Sequence, residues 1–89
     1  MAIFVVTYDL NKESKRPDIT GLLHKSFSYA QLSESSYAID TTLTAEAVYK
    51  VFLPLLDGND SLYVITLKRL YYGQGLAVVN EWLEKRLTY

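Results

Sequence analysis

Two segments of this chain are apolar on both alternating faces, and they constrain the fold more than any other feature. Ala2–Tyr8 (AIFVVTY) presents apolar side chains at odd and even positions alike, and Ser61–Leu67 (SLYVITL) has much the same character. A half-solvated strand would alternate apolar with polar residues, so these segments predict strands covered on both faces of a sheet. Ala2–Tyr8 is expected to be a central strand.

Helical patterns follow each of these strands and also occur between them. Pro17 suits the first turn of a helix, and Thr44 is typical of a helix N-cap, with Pro54 expected to kink or end that second helix. Each of the three expected helices has an apolar stripe at spacings of three and four residues. The stripes are Ile19, Leu22, Leu23 and Phe27; then Val48, Val51, Phe52, Leu55 and Leu56; and last Val79, Trp82, Leu83 and Leu87.

Two further segments alternate as strands do. Ser26–Glu34 and Ser36–Thr41 lie so close together that a hairpin or one bulged ribbon is expected. The order strand, helix, strand, strand, helix, strand, helix predicts an α+β, ferredoxin-like βαββαβ sandwich with an extra C-terminal helix. We expect a single ferredoxin-like domain over residues 1–89, with the last helix in 75–89.

Composition limits the possible functions. The chain has 89 residues, of which 49% are hydrophobic, and it contains no cysteine, which excludes disulfides and thiolate chemistry. No apolar segment is long enough to span a membrane, and we expect a cytoplasmic protein. Because the net charge is −1, nucleic acid would have to be bound by a local basic patch or a metal ion rather than by a broadly basic surface.

The two expected helices of the βαββαβ unit cover only one face of the sheet, although its strands are apolar on both. The C-terminal helix could cover the second face, and so could the sheet of a second copy. We expect a homodimer, since exposed apolar sheet faces usually mark interfaces and the eight tyrosines suit partly buried surfaces.

Asp9, at the end of the first strand, is the candidate catalytic and metal-binding residue. Mg²⁺ is commonly held by one or two protein carboxylates together with water and substrate phosphates. One aspartate from each chain of a dimer would then suffice, and the ion would polarise a phosphoryl oxygen and activate water. The alternative is structural: the Asp9 side chain accepts a hydrogen bond from the backbone of Asn11 or a nearby residue in an Asx-type turn.

Two basic groups are candidates for binding nucleic acid. Lys12, Lys15 and Arg16 follow Asp9 and could guide phosphates to it, although charges in turns are normally solvated. The second group combines Lys68 and Arg69 with two tyrosines, Tyr71 and Tyr72, which could stack on bases. Its alternative is a strand end whose tyrosines pack on the last helix. The only histidine, His24, is expected at the surface of the first helix.

Three motifs together resemble the small CRISPR-associated Cas-two family and its poorly characterised bacterial relatives. They are VVTYDL (Val5–Leu10), in which a first strand ends in Tyr-Asp; KRPDITGLLHKSFSYAQLSESSYAID (Lys15–Asp40), with Gln31 and Ser33; and DGNDSLYVITL (Asp57–Leu67). The similarity covers roughly residues 1–70. Trp82 and the rest of the predicted C-terminal helix stand where the family usually has a short strand.

The resemblance implies a ferredoxin-like homodimer in which Asp9 takes part in magnesium-dependent cleavage of RNA or DNA. Other members of the family bind duplex DNA as structural subunits without needing that carboxylate, and related virulence-associated ribonuclease toxins share the architecture. Two expectations therefore stand side by side: a metal-dependent nuclease, or a non-catalytic homodimer that binds nucleic acid or protein.

Overall fold

The structure is a computed structural model that describes residues 2–69 and 71–87. Its elements are β1 (Ala2–Asp9), α1 (Arg16–Ser26), β2 (Ser28–Ser33), β3 (Ser36–Thr41), α2 (Ala45–Phe52), β4 (Ser61–Thr66) and α3 (Ala77–Arg86). Short 3₁₀ turns at Glu13–Lys15 and Leu53–Leu55 precede α1 and follow α2. The predicted domain (1–89), the predicted last helix (75–89) and the region of similarity (1–70) each have an end that lies outside the described residues.

The strands form one four-stranded antiparallel sheet in the order β2-β3-β1-β4. β1 is thus an inner strand, as its doubly apolar sequence predicted, and it pairs with β3 on one side and β4 on the other. The register between β2 and β3 shifts between Gln31 and Ser33, so the predicted bulged hairpin is present. The α+β class is confirmed, and this strand order is compatible with a ferredoxin-like fold.

The helix boundaries follow from local chemistry. Pro17 lies in the first turn of α1, where its missing N–H removes no helical hydrogen bond. The Thr44 side chain accepts a hydrogen bond of 3.1 Å from the Ala47 amide and caps α2, which ends at Phe52, two residues before Pro54. α3 begins at Ala77 rather than at 75, because Gly75 is a poor helix former and the backbone bonds to the Leu76 carbonyl open the helix.

The main core lies between the sheet and the pair α1 and α2. The even-numbered residues of β1 (Phe4, Val6 and Tyr8) point into it and meet Leu23 of α1 and Phe52 of α2. Leu23, Phe52 and Val6 are completely buried. This face of the sheet therefore carries the larger part of the apolar packing.

A second, smaller core lies on the opposite face, where α3 packs on the sheet. It consists of Ile3, Ala38, Leu83 and Leu87, with Leu67, Tyr71, Val79 and Trp82 packed around it. An ion pair fastens α3 here, since Arg86 Nε lies 3.0 Å from Asp40 Oδ2 and the guanidinium lies 4.2 Å from the centre of the Trp82 ring. Among the described residues, no helix is long and apolar enough to cross a membrane.

Candidate functional site

Helix α3 covers only part of the second face of the sheet. The pairing of β1 with β4 sets Thr7 opposite Tyr63 and Val5 opposite Ile65, all on the face that α3 approaches. Yet the side chains of Tyr63 and Ile65 remain 66% and 53% exposed. We call Thr7, Asp9, Tyr63 and Ile65 the uncovered strip, an exposed and partly apolar patch on an otherwise packed sheet.

Asp9 is the last residue of β1 and lies at the end of the uncovered strip, opposite Ser61. Its side chain is exposed, and none of the hydrogen bonds or ion pairs among residues 2–69 and 71–87 involves its carboxylate. The Asx-type turn expected at this position does not form through Asp9. The Asn11 amide instead donates a 2.7 Å hydrogen bond to Asp60 Oδ1, because β4 runs beside β1 and brings Asp60 next to the turn.

An ion-pair network beside Asp9 joins the start of α1 to the turn before β4. Lys15 Nζ lies 2.5 Å from Asp57 Oδ2 and 2.6 Å from Asp60 Oδ2. The Asp60 carboxylate also accepts hydrogen bonds from the amides of Asp57 and Asn11. Lys15 and these amides lower the pKa of Asp60 from 3.8 to about 2. Lys15 likewise lowers the pKa of Asp57, and both carboxylates raise the pKa of Lys15.

Arg16 is also engaged within the protein. Its guanidinium pairs with Glu13 at 2.8 Å, donates to the Glu34 carbonyl and the Ser35 hydroxyl, and lies 5.7 Å from the centre of the Tyr8 ring. The hydrogen bond to Glu13 raises the pKa of Arg16 and lowers that of Glu13. Arg16 thus connects the start of α1 to the β2–β3 turn.

The candidate basic residues occupy different environments as a result. Lys12 is exposed in the turn after β1, whereas Lys15 and Arg16 are half-buried and ion-paired. Binding a phosphate through Lys15 or Arg16 would require an exchange of these internal partners. Their role in nucleic-acid binding stays a prediction, with Lys12 the most accessible of the three.

The second basic group follows β4. Lys68 is exposed, while Arg69 Nη1 donates to the Leu87 carbonyl at 2.8 Å and its Nη2 lies 3.8 Å from Glu84. The two tyrosines separate: Tyr71 packs against α3, whereas Tyr72 is 100% exposed. The predicted packing on the last helix therefore holds for Tyr71 only.

His24 takes the surface position expected of it. Its ring stacks on Tyr29 with centroids 4.3 Å apart, and Nε2 is 3.2 Å from the Tyr37 hydroxyl. Tyr29 and Tyr37 lie on β2 and β3, on the side of the sheet that carries α1. This cluster lies on the opposite face of the sheet from Asp9 and fastens α1 to the hairpin.

The donor set limits how a metal could be held. Within the described residues, no group of three or more His, Cys, Asp or Glu side chains could bind an ion. Asp57 and Asp60 are near the turn but are both ion-paired with Lys15. The Asp9 carboxylate is exposed and makes no ion pair with the described residues, which fits Mg²⁺ because that ion often takes one or two carboxylates and keeps several waters.

Two parts of this region escaped the sequence analysis. Asp60 was given no role of its own on sequence grounds, yet it accepts the amide hydrogen bond that was expected of Asp9. The Asp40–Arg86 pair was also missed, since its partners are 46 positions apart. The first of these contacts follows from the sheet order, which places β4 beside β1.

No model of a known protein family matches this chain. The search of curated proteins likewise found no match. The Cas-two-like resemblance therefore rests on the motifs quoted above and stays a prediction.

Proposed function

We propose that this chain is a Cas-two-like, homodimeric protein that cleaves RNA or DNA in a magnesium-dependent reaction, with Asp9 as the metal ligand. The observation that carries the proposal is the position of Asp9. Asp9 ends an inner strand, and its exposed carboxylate forms one end of the uncovered strip. A carboxylate that served only to stabilise the turn would be expected to accept a hydrogen bond there, and Asp60 does so instead.

Dimerisation through the uncovered strip would complete such a site. Tyr63 and Ile65 expose apolar surface on this strip, and burying it against a second copy would be favourable. Two-fold symmetry makes each patch contact its own copy, so the strip of one chain would meet the strip of the other. Asp9 borders the strip, and two carboxylates could then serve one substrate.

Asp9 would hold the ion, with water and phosphate oxygens as its other ligands. Bound Mg²⁺ would supply a Lewis acid that stabilises the charge developing on phosphate. The protein's own contribution is to exclude competing partners from Asp9: Asp60 takes the Asn11 amide, and Lys15 is kept on Asp57 and Asp60. Lys12 and Lys68 are exposed and would neutralise substrate phosphates.

A second candidate is a non-catalytic homodimer that binds nucleic acid or protein. It is favoured by the donor set, because no metal-binding cluster accompanies Asp9 in the described part of the chain. The internal ion pairs of Lys15 and Arg16 favour it as well, because they reduce the positive charge next to Asp9. A cytoplasmic location goes with both candidates, since the chain has no cysteine that would need an oxidising compartment.

Cleavage assays with matched aspartate variants separate the two candidates. Labelled RNA and DNA, single-stranded and duplex, are incubated with the protein in Mg²⁺ and in a chelator. We expect cleavage by the wild type in Mg²⁺, its loss in Asp9→Asn, and wild-type activity in Asp18→Asn, which makes the same chemical change at another exposed aspartate. Equal cleavage by wild type and Asp9→Asn would overturn the proposal, and duplex binding without cleavage would favour the second candidate.

A further inference from the structure

A groove of about 800 Å³ lies between α3, the segment before it and the sheet. This volume is within the range of about 300–1,000 Å³ that is usual for ligand sites. Val5, Leu67 and Leu83 are among the apolar side chains that line it. Leu32 at the β2 edge and Leu76 before α3 also line the groove and are themselves exposed.

The polar lining of the groove is neutral. Its polar residues are three carboxamides and two tyrosines: Gln31, Gln74, Asn80, Tyr71 and Tyr72. No carboxylate or ammonium lines the groove in the part of the chain that the structure describes. Gln31 donates from Nε2 to the Ser33 carbonyl, and Asn80 donates from Nδ2 to the Gly75 carbonyl. Each of these two contacts uses one amide N–H, so the carboxamide oxygens remain as acceptors.

The two tyrosines have different roles in this groove. The Tyr71 hydroxyl donates to Glu84 at 3.4 Å, and its ring packs on the small core under α3. Tyr72 is 100% exposed and lines the same groove, so both faces of its ring are open to a partner. A fully exposed aromatic ring beside an apolar groove is a suitable platform for stacking.

Positive charge lies next to the groove rather than inside it. Lys68 and Arg69 stand in the chain between two lining residues, Leu67 and Tyr71. Lys68 is exposed, and Arg69 keeps about half of its side chain exposed while it contacts Glu84. The arrangement is therefore a neutral groove with acceptors and an aromatic ring, next to cationic side chains.

We propose that this groove binds an unpaired base of single-stranded nucleic acid, which stacks on Tyr72 and pairs its polar edge with the carboxamides of Gln74 and Asn80. Lys68 neutralises the phosphate beside that base. A planar, uncharged base suits a lining of apolar groups and neutral amides, and a paired base in a duplex has no free edge to offer. The inference rests on the proposed function for its ligand class and adds to it a preference for single strands.

Binding is measured by fluorescence anisotropy in a chelator, where metal-dependent cleavage does not contribute. The probes are a labelled single strand of about twelve nucleotides, within the usual site size of about 4–16, and its duplex. We expect the single strand to bind more tightly than the duplex. Tyr72→Ala is expected to weaken single-strand binding by at least about five-fold, since stacking contributes about 1–3 kcal/mol per base, and Tyr72→Phe to retain it.

Tyr49→Ala is the matched control, because Tyr49 is an exposed tyrosine of α2 that does not line this groove. Unchanged binding in Tyr72→Ala, equal affinity for the duplex, or no binding of the strand by the wild type would overturn the inference. If Tyr72→Ala changes the oligomeric mass of the protein but not its affinity for the strand, the groove is an interface with a second copy and the inference is wrong. If the single strand binds in the presence of chelator with the expected dependence on Tyr72, but the protein does not cleave in Mg²⁺, the binding role of the groove is supported and the proposed role of Asp9 is rejected.

Discussion

The two faces of the sheet differ in how completely they are covered. On the face of α1 and α2, residues from three strands and two helices form a continuous core in which Val6, Leu23 and Phe52 have no exposed surface. On the other face, α3 packs on Ile3 and Ala38 but leaves Tyr63 and Ile65 more than half exposed. The first face contains most of the packing that stabilises the fold, whereas the second face keeps exposed apolar surface that no described residue covers.

The candidate functional residues and the residues that only pack in the core lie on different faces of the sheet. Asp9, Tyr63 and Tyr72 lie on or beside the incompletely covered face, whereas Tyr8 and Tyr37 are buried in or beside the main core. Burial raises the pKa of both buried tyrosines above its usual value. Binding or catalysis is therefore expected on the side of the sheet that carries α3.

The largest effect should come from truncation in the main core. Phe52→Ala removes a completely buried ring and is expected to lower the free energy of unfolding by about 3–5 kcal/mol, a cost typical of such cavities. Ile65→Ala on the other face should cost about 1 kcal/mol or less in the monomer, because that side chain is largely exposed. Urea denaturation at low protein concentration measures both, and similar losses would remove the distinction between the faces.

A smaller loss is expected from the core under α3. Leu83→Ala should lower the free energy of unfolding by about 2–3 kcal/mol, at the low end of the range for buried leucines because few residues surround it. Glu81→Ala, on the exposed side of the same helix, is the control and should change stability by about 0.5 kcal/mol or less. If Leu83→Ala behaves like this control, α3 does not contribute to the cooperative fold.

The network of Lys15, Asp57 and Asp60 predicts a pH dependence. The pKa of Asp60 is lowered from 3.8 to about 2 in the folded chain, so protonation of Asp60 favours the unfolded state. Its contribution is complete above about pH 4 and is lost as the pH falls towards 2. Asp60→Asn should therefore be less stable than the wild type at neutral pH and should lose less stability between pH 4 and 2.

Chemical denaturation at several pH values measures this difference, with Asp18→Asn as the control for the loss of a carboxylate. Asp18 lies in the first turn of α1 and makes no ion pair among the described residues. A pH profile of Asp60→Asn that parallels the wild type would mean that the network does not stabilise the turn beside Asp9.

Most of the fold followed from local patterns in the sequence. Pro17 and Pro54 marked helix boundaries through their backbone chemistry and Thr44 through its side-chain cap. The doubly apolar β1 indicated an inner strand before any pairing was known. The coverage of the second face did not follow. Whether α3 or a second copy packs there depends on the length and position of α3, which periodicity does not determine.

Individual residues of the candidate site could be predicted from the sequence, but the contacts between them could not. Asp9 stood out because it ends β1, and Lys15 because it follows closely, yet the pairing of Lys15 with Asp57 and Asp60 joins positions more than 40 apart. Such contacts depend on the neighbours of β1 in the sheet. For the same reason the sequence joined Tyr71 and Tyr72 in one cluster, whereas the structure buries one ring partly and exposes the other.

The central claim is that the uncovered strip is an interface between two copies that brings Asp9 of each chain to a shared site. Sedimentation equilibrium of the wild type beside Ile65→Arg and the control Lys50→Glu tests it most directly. We predict twice the chain mass for the wild type and the control, and a folded species of single-chain mass for Ile65→Arg, because a charge in the strip would be buried without a partner. A monomeric wild type, or an Ile65→Arg variant that still dimerises, would contradict the claim.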